Sequence, residues 1–111
     1  MNETINYFLP KNRYQELKYF CLQYKYYTKI IEDVVSTPDR KFLAKNYIML
    51  IRNALTAAEC EFNKDILFDC VTNGLSFKRL VEKYSNSMPT KEAFYEAYRR
   101  FFYHLNQNKG I

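Results

Sequence analysis

Apolar side chains return every three or four positions along nearly all of this sequence, and that period belongs to the α-helix. It is clearest near the C-terminus, where Phe94, Tyr95, Tyr98, Phe101, Phe102 and Leu105 fall on one helical face. A strand of the same residues would scatter them over both faces, because its period is two. Glycine reinforces the point. Only Gly74 and Gly110 occur in 111 residues, too few for the tight turns that hairpins consume. The expectation is an all-α fold of five or six helices in one domain over 1–111. Two halves of so short a chain would each struggle to bury a core.

Start and stop signals divide the chain. Residues 1–9 read as an N-terminal arm, and Pro10 suits the first turn of a helix. Tyr14, Leu17, Cys21 and Tyr24 begin a stripe that Tyr27, Ile30, Ile31 and Val34 continue. This is either one helix over about 11–35 or two helices broken near Tyr24. Thr37-Pro38-Asp39 is a restart: a cap, a first-turn proline and an acid that complements the helix dipole. Phe42, Tyr47, Ile48, Ile51, Ala54, Leu55 and Ala58 then predict a long helix over about 38–60. Asn63 caps a helix that stops at Asn73-Gly74, where glycine takes the left-handed conformation. Ser76 caps a short helix with Phe77, Leu80, Val81 and Tyr84 inward. The stretch 85–89 is a loop, and Thr90 caps the last helix, over about 90–107.

Several chemistries lack their residues. One histidine, His104, and three separated cysteines give no recognised zinc spacing. No glycine-rich loop exists to cradle a phosphate. Asp65/Asp69 and Glu92/Glu96 are same-face carboxylate pairs, but acids early in a helix are favoured by its dipole, and a solvated face is the expectation. Neither an enzymatic activity nor a cofactor is expected. Cys21, Cys60 and Cys70 are odd in number and at helical positions, which suits reduced thiols. With no basic, apolar leader at Met1, a cytoplasmic protein is expected.

Eleven tyrosines and nine phenylalanines stand without a tryptophan. Tyrosines among lysines can stack on bases or build an interface. An AT-rich genome gives the same bias, in keeping with ten Asn and six Ala. The net charge of +5 suits an acidic partner, and residues 63–111 hold eight basic against five acidic side chains.

That C-terminal region carries the strongest functional signal. Thr72-Asn73-Gly74-Leu75-Ser76 followed by Phe77-Lys78-Arg79-Leu80 resembles the turn and short helix of helix-turn-helix regulators. In this reading 63–107 is a helix-turn-helix-like segment and the last helix is the recognition helix. Lys91, Arg99 and Arg100 face outward there, with Tyr95 or Tyr103 at the edge, and Lys78, Arg79 and Lys83 add positive charge. Arginine suits phosphates and guanine edges alike, because its fork bonds bidentately. The competing reading pairs Arg99 with Glu92 and Arg100 with Glu96 along the helix, at favourable spacing.

Residues 9–24, beginning Leu9-Pro10-Lys11-Asn12-Arg13-Tyr14, and residues 94–103, with Tyr98-Arg99-Arg100-Phe101-Phe102-Tyr103, carry a family resemblance, together with the turn 71–77. They resemble a family of small, largely uncharacterised phage and prophage proteins of gut Firmicutes. That family follows Gln-Tyr with proline and tryptophan, where this chain has Lys25-Tyr26-Tyr27. Residues 71–105 are more loosely similar to phage late-transcription regulators with a sigma-factor-like helix-turn-helix. The resemblance implies a phage origin, and the expected function is non-enzymatic binding of duplex DNA through the basic C-terminal helix. The alternative is a phage inhibitor that binds a host defence protein, as anti-CRISPR proteins do. The two differ in what they need at the surface: a basic face along 90–107, or an exposed aromatic patch.

Overall fold

The computed structural model describes residues 7–109, and six α-helices occupy most of them. The N-terminal arm lies mainly outside the described residues. Its described end is extended and already belongs to the fold, for Leu9 is buried and the Tyr7 ring meets the Tyr103 ring edge-on at 5.2 Å. Pro10 then stands immediately before α1, Lys11–Leu22, and its carbonyl accepts the first helical hydrogen bond from Tyr14.

The first stripe forms two helices. α1 ends at Leu22 and α2 spans Tyr24–Glu32, with Gln23 as the joint. Neither proline nor glycine marks the break. Its cause is tertiary: Tyr24 is buried, packed edge-on against Phe68 of the fourth helix at 5.0 Å. The Arg52 guanidinium covers both rings at 5.7 Å. α2 also stops before Val34. The Asp33 side chain accepts a hydrogen bond from the Val35 backbone N–H, so the chain turns and Val34 points into solvent, against the expected stripe.

The later boundaries follow local chemistry. α3 runs Pro38–Ala57, and the Thr37 hydroxyl accepts from Arg40 N–H with Pro38 in the first turn. α4 spans Lys64–Asn73 under an Asn63 cap, and Gly74 takes the left-handed conformation at φ 67°. α5 is Phe77–Tyr84, capped by Ser76. A single 3-10 turn over Ser85–Ser87 leads to α6, Lys91–Asn108, capped by Thr90.

α6 is the spine of the core. Phe94, Ala97, Phe101, Phe102 and Leu105 are all buried, and the helix packs on α1, α3 and α4. Ile51, Ala54 and Leu55 of α3, Ile66 and Leu67 of α4, Leu80 of α5 and Leu17 of α1 close around it. The first half of α3 is different. It buries only Ala44, and its main neighbour is α2, which itself buries only Tyr24. Phe42, expected in the core stripe, is 66% exposed for this reason. Val81 of α5 is likewise exposed, because Leu80 and not its neighbour turns inward.

All three cysteines are free thiols. Burial pushes Cys21 up to about 12 and Cys70 up to about 11, and raises Cys60 as well. The thiolate is the reactive form. Alkylation of the native protein should therefore be slow at mildly alkaline pH, with half-exposed Cys60 modified first. Peptide mass mapping after a timed iodoacetamide pulse checks this order, and prior modification of Cys21 would contradict it.

Candidate nucleic-acid interface

The expected basic residues divide into two groups. Lys78 and Arg79 stand exposed on the first turn of α5, Lys91 opens α6, and Arg99 lies exposed in the middle of that helix. None of these four has an ion-pair partner among the described residues. Lys83 and Arg100 are instead committed to the fold.

Arg100 corrects the expectation that two adjacent arginines both reach solvent. A helix turns about 100° per residue, which carries Arg100 from the outer strip to the α3 side. There its Nε donates to the Ala58 carbonyl at 2.8 Å and its Nη1 pairs with Glu96 at 3.0 Å, leaving the side chain 21% exposed. Ala58 is the C-cap of α3, where carbonyls have no helical partner, so Arg100 satisfies an acceptor the fold must satisfy. Of the two pairs along the helix, Glu96 with Arg100 is formed, and Arg99 has no ion pair.

Lys83 is held by Asp69. This carboxylate is buried, not on a solvated face, and it accepts from Lys83 Nζ, Asn73 Nδ2 and, at 2.9 Å, Tyr84 Oη. The cluster ties the end of α5 to α4 and so fixes the short helix against its predecessor. Burial alone would raise the Asp69 carboxyl, but the hydrogen bonds from Lys83, Asn73 and Tyr84 outweigh it and hold the group below its ordinary value. The sign follows. The stabilisation is complete above the unfolded-state value of about 3.9 and is lost as pH falls through the lower folded-state value. Asp69→Ala should cost about 1.5–3 kcal/mol at neutral pH, the range for hydrogen bonds to a charged group. Urea unfolding reads this directly, and an unshifted midpoint would contradict it.

Tertiary packing also brings a cation that the sequence gave no reason to include. Lys18 of α1 places Nζ 5.9 Å from the centre of the Tyr98 ring on α6. Lys18, Leu22, Leu75, Ser76, Tyr98 and Phe102 line a shallow cavity of about 230 Å³ beside the Gly74 turn. The Phe77 ring stacks on Tyr95 with centres 6.0 Å apart, which sets the first turn of α5 against the N-terminal half of α6. Arg99 lies close enough to Tyr14 of α1 to act on its phenol: burial raises that group and the Arg99 charge opposes the rise. Lys18 thus joins the aromatic face of α6 from across the bundle, while Lys78 and Arg99 adjoin Phe77 and Tyr98 in sequence. Glu92, seven residues before Arg99, is the acidic exception on the same strip.

No signal in the sequence linked α1 to α6, so Lys18 was out of reach of a reading confined to 63–107. Among the described residues there is no cluster of three or more His, Cys, Asp or Glu side chains that could hold a metal, and no helix long and apolar enough to cross a membrane. Comparison with protein-family models, with curated proteins and with solved structures finds no match to the chain.

Proposed function

We propose that the chain is a non-enzymatic, DNA-binding regulatory protein of phage or prophage origin, acting in the bacterial cytoplasm. One observation carries the reading: Lys18, Lys78, Arg79, Lys91 and Arg99 hold no carboxylate partner among the described residues, and Lys18 lies beside the Tyr98 ring of the helix that carries Lys91 and Arg99. Free cations of this kind release counterions when they meet phosphates, which is where most of the affinity of such proteins for duplex arises. Arg99 and Lys91 lie along one helix, so they would fix its register on the backbone, and Arg99 has the fork to reach a guanine edge. The resemblance of 71–105 to sigma-like phage regulators agrees with this assignment.

The contrast between neighbouring arginines tests it. Arg99→Ala should weaken binding to duplex DNA in fluorescence anisotropy while leaving the melting temperature unchanged. Arg100→Ala should lower the melting temperature, because the Ala58 carbonyl loses its donor, and leave the affinity of the folded protein nearly intact. The reverse pattern would place the contact face elsewhere. A second reading, binding of a host protein, is favoured by a separate observation: the apolar end of the α2–α3 hairpin.

A further inference from the structure

The hairpin formed by α2 and the first half of α3 stands apart from the core and ends in apolar side chains. Val34 is 90% and Val35 83% exposed in the connecting loop, and Phe42 and Leu43 follow in the first turns of α3. Tyr26 and Met49 extend the surface along the two helices. Five of the ten exposed large apolar residues among those described lie on this hairpin and a sixth, Met49, follows just beyond it in α3, where one would expect the polar tip that solvent favours. Nothing in the fold requires them there, since the hairpin's own packing runs through Tyr27, Tyr47 and Ala44 on the inner side.

We propose that this hairpin is a docking surface for a partner protein segment that carries apolar side chains flanked by carboxylates, an acidic amphipathic helix. Charge decides the occupant. Residues 24–57 hold six basic side chains, Lys25, Lys29, Arg40, Lys41, Lys45 and Arg52, against Glu32, Asp33 and Asp39. None of the six is in an ion pair among the described residues. A second copy of the chain would bring the same positive excess face to face, which opposes association, whereas an acidic partner is drawn in. Spacing suits a helix. Phe42, Lys45, Met49 and Arg52 are all exposed and fall at successive offsets of three, four and three, so apolar and basic groups alternate along one stripe of α3. Beside it, Tyr26, Ile30, Arg40, Leu43 and Tyr47 line a recess of about 180 Å³ that can take an anchoring side chain. Arg40 donates to Tyr26 Oη at 2.9 Å and keeps its remaining N–H groups for a carboxylate.

The test uses isotope-labelled protein titrated with a synthetic helix of about five turns, leucine on one face and glutamate on the other, followed by backbone NMR. Its twin carries lysine in place of each glutamate. The glutamate peptide should shift signals within 26–52 only, and the lysine peptide should not bind. Phe42→Ser with Met49→Ser, and separately Lys45→Glu, should each weaken the glutamate peptide roughly tenfold or more. The substituted positions are exposed, and an unchanged melting curve shows that the fold survives. Duplex DNA binding should be unaffected by the serine pair, which separates this surface from the DNA face. Failure of both peptides to bind, or equal binding of both, overturns the proposal. So does concentration-dependent self-association in sedimentation that the serine pair abolishes, which would assign the patch to a second copy.

Discussion

Phe101→Ala should destabilise the protein by about 3–5 kcal/mol, the range for deleting a buried aromatic ring. Phe101 is fully buried, and its ring meets that of Phe102 edge-on at 5.0 Å. The site has little freedom to collapse, because α6 is gripped by α1, α3 and α4 together. A cavity left at the centre of such an arrangement stays open, and the lost contacts are not replaced. Against a total of roughly 5–15 kcal/mol for a domain, the loss is enough to leave much of the variant unfolded near its working temperature. Urea unfolding followed by circular dichroism measures it. Tyr103→Ala, two positions along and half-buried, is the control and should cost clearly less. Equal stabilities for wild type and Phe101→Ala would mean that the α6 stripe faces no core.

Much of this fold is written in local chemistry. Thr37, Asn63, Ser76 and Thr90 each cap the helix that the sequence assigns to them, and Gly74 takes the left-handed conformation at the end of α4. These features need only a residue and its near neighbours, so they can be read without the tertiary structure. The joint at Gln23 cannot, because it exists to seat Tyr24 against Phe68, 44 positions away. Periodicity likewise tells which residues share a face and is silent on whether anything covers it. Val34 and Phe42 continue their stripes faithfully, yet the bundle does not extend to them.

The candidate site divides in the same way. That 63–107 holds a cluster of basic residues is plain in the sequence. Which of them are free is decided by acceptors elsewhere: the Ala58 carbonyl captures Arg100 and Asp69 captures Lys83. Asp69 itself looked like half of a solvated pair with Asp65, and became buried because three donors from α4 and α5 converge on it. The reduction from six expected cations to four, and the gain of Lys18 across the bundle, are tertiary facts.

The most direct measurement is a salt titration of binding to duplex DNA. If Lys18, Lys78, Arg79, Lys91 and Arg99 each neutralise one phosphate, log affinity should fall against log salt with a slope near −4.5, a loss of roughly 500-fold between 50 and 200 mM. Replacing Lys78, Arg79 and Arg99 together by alanine should make that slope shallower by about 2.7, uniformly across DNA sequences for contacts confined to the backbone. Replacing Arg100 alone, in protein shown to be folded, should leave the slope unchanged. Absence of duplex binding at low salt, or a slope that the triple replacement does not alter, would contradict the assignment of this face to DNA.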